Sequence, residues 1–236
     1  MKKSVSIIVP AYNDEETLYG TIKDVDRIAG KVFGDYEFLI FDDGSTDRTG
    51  EIVDRLARGN SRIRAFHNGK NMNIGYSYKV GVVEAKKDYV MLLPGPDSLT
   101  IESLEQYMRR IGQADVVTSY SGNREARLPY RLAVSALASA TLNLLFGLRL
   151  RYYFGMQMYR TSLVRKVRMT TSSFGIYPEI LIQLVKAGCS CKEVPIVALP
   201  ETNSTTAFRA RNIAGILSVV FRLFFRLHFR RVRRLF

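Results

Sequence analysis

The chain has only two cysteines and two histidines in 236 residues. Two thiols cannot build a disulfide scaffold, so the fold must rest on a hydrophobic core, and a reducing compartment suits it. Cys189 and Cys191 stand one residue apart and, with only His67 and His228 to help, fall short of a structural zinc site. They read as buried, unreactive thiols. Long apolar runs are missing too. Leu132 to Leu148 is uncharged for 17 residues but contains Ser135, Ser139, Thr141 and Asn143. A membrane span needs ~20 apolar residues. The apolar run after Met1-Lys2-Lys3 is too short for a signal peptide, so the Asn203-Ser204-Thr205 sequon reads as chance. Acidic residues are absent from one region: Ser204 to Phe236 holds eight Arg and no Asp, Glu or Lys.

What is present suits one large α/β domain followed by a basic tail. Hydrophobic content is an ordinary 47%, whereas the formal charge of +13 is not ordinary. A basic block points to nucleic acid or to an anionic membrane. This one is too apolar for a solvated arm, which excludes nucleic acid. Arg222, Arg226, Arg230 and Arg233 recur at helical spacing, with Leu223, Phe224, Leu227 and Val232 placed to lie away from them. A basic, aromatic amphipathic helix predicts an interfacial position, with Phe224 and Leu227 entering the acyl boundary. Docking on its own domain, or pairing in a homo-oligomer, are the other ways to cover it.

Upstream, strands are predicted at Val5–Pro10, Tyr36–Phe41, Ile63–Phe66, Tyr89–Leu93, Val116–Tyr120 and Glu193–Leu199. Helices are predicted at Glu15–Ala29, Thr46–Ala57, Ile74–Lys86, Thr100–Ile111 and Tyr177–Lys186. Asn13 or Asp14 would cap the first helix and Ser45 or Thr46 the second. The alternation predicts a mostly parallel sheet with helices on both faces. Leu132–Leu148 reads either as a core-packed helix or as one lying partly at a membrane interface.

The chemistry concentrates in two strand-to-turn passages. The first is Ile7-Ile8-Val9-Pro10-Ala11-Tyr12-Asn13-Asp14-Glu15-Glu16; the second is Phe41-Asp42-Asp43-Gly44-Ser45-Thr46-Asp47. In an open parallel sheet, ligands bind at the carboxyl ends of the strands. Acidic turns there suit the neutral hydrogen-bonding groups of a ligand. The pair of motifs resembles family 2 glycosyltransferases of the GT-A fold, especially the dolichyl- and polyprenyl-phosphate sugar synthases, over about residues 4 to 205. The domain division is then 1–205 for the Rossmann-like GT-A domain and 206–236 for the membrane-interface helix.

The resemblance implies site residues. Pro10, Tyr12 and Glu16 would line the base and ribose of a nucleotide-sugar, and Asp42 or Asp43 would accept a base N–H. Asp47 could equally be a helix cap. Lys70, in the Asn68–Gly75 loop, would meet the phosphates. Arg124, Arg127, Arg131 and Ser135 would meet the phosphate of a polyprenyl acceptor, Arg209 adds a further phosphate contact, and Glu179 would lie near the active-site floor. The family's Asp-x-Asp, which holds a divalent metal such as Mg or Mn, is replaced by Pro94-Gly95-Pro96. That leaves Asp97 as the candidate metal ligand and catalytic carboxylate, and puts metal dependence in question. The implied activity is inverting sugar transfer at the cytoplasmic face of the membrane by a peripheral enzyme. A saccharide or other hydroxyl acceptor, or a non-catalytic binding protein, are the alternatives.

Overall fold

The computed structural model describes residues 3–93, 100–123, 125, 127–199 and 210–229, with side chains described for 215–227 of the last stretch. The first two strands, β1 (Ser4–Ala11) and β2 (Asp35–Asp42), are near-continuous apolar runs. Such runs belong to strands covered on both faces. They pair in parallel, Ser4 opposite Asp35 and Ala11 opposite Asp42, so both acidic turns leave the sheet side by side. The remaining strands are β3 (Ile63–His67), β4 (Tyr89–Leu92), β5 (Val116–Ser121), β6 (Gln157–Arg160) and β7 (Cys191–Ile196). They form one sheet of order β3-β2-β1-β4-β6-β5-β7, in which β6 alone runs antiparallel to its neighbours.

Helices cover both faces. On one lie α1 (Leu18–Val32), α2 (Thr49–Gly59) and α4 (Ile101–Met108), burying residues such as Ile22, Val53 and Leu104. On the other lie α3 (Ile74–Glu84), α5 (Pro129–Phe146), α6 (Thr161–Val164), α7 (Ile176–Lys186) and α8 (Ala210–Phe229).

Several boundaries differ from expectation for a local reason. Helix α1 starts at Leu18 rather than Glu15, because Asn13 adopts a left-handed conformation (φ 53°) and the Asp14 carbonyl takes the Thr17 and Leu18 N–H groups. Helix α2 starts at Thr49 with Arg48 at its N-cap position and no side-chain cap, so Ser45 and Thr46 do not cap it; Asp47 accepts the Thr49 N–H at 3.0 Å in the turn just before the helix. The four-residue β6 and the single turn of α6 were not anticipated.

Helix α5 packs one side on the core and leaves the other open. Leu142 and Phe146 are core residues, while Tyr130, Val134, Leu137 and Leu144 are exposed. Helix α8 is docked on the domain, against α5 and α7. Val219 and Leu223 are buried, and Phe224 and Leu227 pack on the same cluster. The expected lipid-facing set is therefore corrected. Burying a Leu or Val side chain is worth about 1.5–3 kcal/mol, and these helix residues find that burial in the protein. Cys189 and Cys191 are free and half-buried, and burial pushes the Cys191 thiol up to about 12.

Candidate functional site

The two acidic turns form one laced unit. The Asn13 N–H donates to Ser45 Oγ at 3.1 Å, and Asn13 Oδ1 accepts the Thr46 N–H at 2.9 Å. The Asp14 N–H donates to Thr49 Oγ1 at 2.8 Å, and Glu15 and Asp47 exchange further bonds with the opposite turn. Side chains some thirty residues apart in sequence thus fix a single surface at the ends of β1 and β2. Pro10 is half-buried at its edge, whereas Tyr12, Glu16 and Lys70 are exposed on it.

The paired aspartates order what surrounds them. Asp42 accepts the Ser45 N–H at 3.0 Å and faces His67 Nδ1 at 3.2 Å. His67 Nε2 lies 3.0 Å from Asp54, so the ring is held between two carboxylates. Burial opposes the imidazolium, but the Asp42 and Asp54 hydrogen bonds outweigh it, and the His67 pKa is raised. Burial likewise opposes the Asp42 charge, yet bonds from Ser45 and His67 leave its pKa lowered. Asp43 is 4% exposed and takes three N–H donors at 2.8 Å: Asn68 Nδ2, Met72 N and Asn73 N. It clamps the 68–73 loop beside the site. Gly44 is required here, since its φ is +73° and a Cβ would lie 2.5 Å from the Lys70 carbonyl carbon.

At the other side of the same edge, α5 begins beyond β5. Strand spacing puts β5 about 15 Å from β1. Arg127 lies over the Tyr152 ring. Arg131 is 2% exposed, and its Nε donates to Tyr130 Oη at 3.0 Å. Its guanidinium therefore points into the protein, while Ser135 is half-buried one turn on. Glu179 is 1% exposed, and its carboxylate is taken up by the Thr170 and Thr171 N–H groups and the Thr170 hydroxyl. In this structure Glu179 holds the loop before α7 through these bonds.

The structure adds a cleft that the sequence did not suggest. It has a volume of about 450 Å³ and lies between the Thr170–Ser173 loop and α8. Asn73, Thr170, Thr171, Ser172, Ser173, Gly215, Ser218 and Arg222 line it. Asn73 also belongs to the loop clamped by Asp43, so the cleft adjoins the acidic turns. Arg124, Asp97 and Arg209 lie outside the described residues. Among the described residues, no cluster of three or more His, Cys, Asp or Glu side chains forms a metal site.

A sheet of this order, with acidic turns at its carboxyl edge and one reversed strand, is the GT-A architecture. The family model "Glycosyl transferase family 2" matches residues 6–168, and the chain belongs to that family. Glycosyltransferase AglD of Haloferax volcanii is 27% identical over 233 residues, covering 94% of this chain and 37% of that protein. Dolichyl-phosphate beta-glucosyltransferase ALG5A of Trichomonas vaginalis is 24% identical over 209 residues, covering 81% and 64%. Undecaprenyl-phosphate 4-deoxy-4-formamido-L-arabinose transferase of Pectobacterium atrosepticum is 28% identical over 145 residues, covering 61% and 43%. The chain thus spans from about a third to under two thirds of these relatives. Among solved structures, glucosyl-3-phosphoglycerate synthase from Mycobacterium tuberculosis, in complex with Mg2+ and UDP, shares the fold with a TM-score of 0.68. It is 16% identical, with 93% of this chain and 80% of that chain covered.

Proposed function

We propose that the chain is an inverting glycosyltransferase that moves a sugar from a nucleotide-diphosphate donor to a polyprenyl phosphate, working peripherally at the cytoplasmic face of a membrane. Family membership and the laced acidic turns support the donor half. Pro10, Tyr12, Glu16, Asp42, Asp43 and Lys70 are assigned to the donor, with Lys70 as a point charge toward its phosphates. The solved relative binds UDP with Mg2+, and two sequence relatives carry lipid phosphates in their names. A divalent ion, when bound, would neutralise the donor diphosphate, and Asp97 is its candidate ligand.

The observation that carries the lipid acceptor is a surface. On α5, Tyr130, Val134, Leu137 and Leu144 form one exposed stripe, with Leu137 and Leu144 69% and 85% exposed. On the adjoining α8, Leu217, Phe221 and Phe225 form another, with Phe221 65% exposed. Neither helix contains a single Asp or Glu. Apolar stripes next to arginines suit acyl chains and anionic headgroups. A second copy of the chain would instead bring two arginine-rich tails together, which favours lipid over self-association. No helix among the described residues is long and apolar enough to cross a membrane, in keeping with a peripheral position.

The chemistry needs little from the protein. A phosphate monoester with its second pKa near ~6 is already a dianion at neutral pH. Its oxygen attacks the anomeric carbon, a new C–O bond forms, and the bond to the diphosphate breaks with its electron pair. One in-line displacement inverts the centre, and no proton has to move. Catalysis is then positioning and charge neutralisation, which agrees with Glu179 being fully engaged in its own loop.

The Pro94-Gly95-Pro96 substitution favours a second reading, a binding protein that holds nucleotide-sugar or lipid without turnover. A screen of nucleotide-sugars with a short polyprenyl phosphate separates the two. Sugar recovered in the lipid product supports transfer; saturable nucleotide binding with no product from any donor supports the binder.

A further inference from the structure

The cleft beside α8 has a lining of one chemical kind. Five of its residues are Ser or Thr hydroxyls in the 170–173 loop and at Ser218; the others are Asn73, Gly215 and Arg222. Among the described residues, no carboxylate lines it. Glu179, the nearest acid in sequence to the loop, is turned inward and saturated by Thr170 and Thr171. Positive charge approaches from two sides. Arg222 is exposed, and its Nη1 donates to Ser218 Oγ at 2.7 Å. Lys79, from α3, donates to Ser172 Oγ at 3.2 Å from beneath the loop.

Along α8, Gly215, Ser218, Arg222 and Arg226 follow at three- and four-residue steps and share one side. One nitrogen of the Arg226 guanidinium is buried without a hydrogen-bond partner among the described residues. Hydroxyl donors and a guanidinium, with no competing acid among the described residues, recognise an oxyanion. The volume exceeds what a phosphate group alone needs and leaves room for the rest of a larger ligand. Arg131, by contrast, is 2% exposed and turned onto Tyr130.

We propose that this cleft binds the phosphate group of the acceptor, with Arg222 as its cation and the hydroxyls of Ser172 and Ser218, which accept from Lys79 and Arg222 and keep their own protons to give, as its donors. The inference rests on the glycosyltransferase reading and gives α8 a part in substrate binding as well as in docking. Asn73 joins the two halves, since the loop it ends is clamped by Asp43 on the donor side.

The test uses the full chain, farnesyl phosphate as the lipid probe and inorganic phosphate as the soluble one. Arg222→Gln is expected to raise the apparent KM for farnesyl phosphate about tenfold, as loss of a charge-assisted bond at an exposed site implies. Arg222→Lys should recover part of the loss, and the nucleotide Kd by calorimetry should not move. Inorganic phosphate that inhibits wild type, and inhibits R222Q about tenfold less well, would show that the cleft takes the free anion as well. A KM effect without inhibition by inorganic phosphate would assign the cleft to phosphate carried on a lipid. Equal KM in R222Q and wild type overturns the proposal. If wild type transfers nothing to farnesyl phosphate, the functional reading fails on its own. The cleft is then decided by 31P line broadening of inorganic phosphate: broadening by wild type that R222Q loses supports it, and equal broadening by both overturns it.

Discussion

Replacing Asp43 by Asn should release the 68–73 loop and weaken nucleotide binding together. The carboxylate accepts two donors on Oδ1 and one, the Asn73 N–H, on Oδ2. An isosteric amide can keep its oxygen toward Asn68 and Met72. Its NH2 then faces the Asn73 N–H, donor against donor. One charge-assisted bond, worth about 1.5–3 kcal/mol, is lost, and the two that remain fall to about 0.5–1.5 kcal/mol each as neutral bonds. The sum is about 3 kcal/mol or more. It acts on a residue under strain, because Asn73 sits at φ 68°, ψ 159°, a region tolerated almost only by glycine. Holding a side-chain-bearing residue there costs about 1–3 kcal/mol. Clamp and strain are of similar size, so the loop should open in Asp43→Asn. Calorimetry should show weaker binding of the free nucleotide, and hydrogen exchange should show loss of protection at Met72 and Asn73. The double variant Asp43→Asn, Asn73→Gly removes the strain and should recover part of both. Unchanged affinity and unchanged protection in Asp43→Asn would refute the clamp.

Three further outcomes follow from the geometry. His67 has a folded pKa raised above its ordinary value of 6.5, so its contribution to stability is fully present below that value and is lost as pH rises through the folded pKa. Urea midpoints of wild type should fall across that window relative to His67→Gln, and parallel curves would exclude the Asp42–His67–Asp54 contact. Gly215→Ala should lower the melting temperature although alanine is the better helix former by about 1 kcal/mol. The reason is that a Cβ there would lie 2.6 Å from Ser173 Oγ, pushing α8 off the loop; a higher melting temperature would contradict that packing. Leu137→Glu and Phe221→Glu should each weaken co-sedimentation with anionic vesicles, and added salt should weaken wild-type binding without abolishing it. Wild-type binding by both variants would place the membrane contact elsewhere.

The strands of the donor side were legible because buried parallel strands are written as apolar runs, and the acidic turns were legible because they follow those runs directly. Residues that act through long-range pairing were not. Asp43 reads in sequence as a ligand contact, yet its three bonds go to a loop about thirty residues away. Glu179 reads as an active-site carboxylate, and only the fold shows Thr170 and Thr171 folded back onto it. Strand β6 escaped because four residues without alternation carry no period. The cleft at Ser172 and Arg222 joins segments fifty residues apart; Arg222 was legible only within the amphipathic arginine pattern, and the 170–173 loop bears no motif. The amphipathic pattern of α8 was visible, but the pattern does not say which apolar stripe meets the protein. Leu223 and Leu227 took that place, leaving Phe221 and Phe225 outside.

The central claim is that transfer relies on an acceptor already ionised, positioned rather than deprotonated by the protein. The most direct measurement supplies the full chain with its preferred nucleotide-sugar and, in parallel, farnesyl phosphate or farnesol. Product should form with the phosphate alone, carry an inverted anomeric centre by NMR, and fall in yield only as pH drops through the acceptor's second pKa near ~6. Comparable transfer to farnesol, or a retained anomeric configuration, would contradict the account.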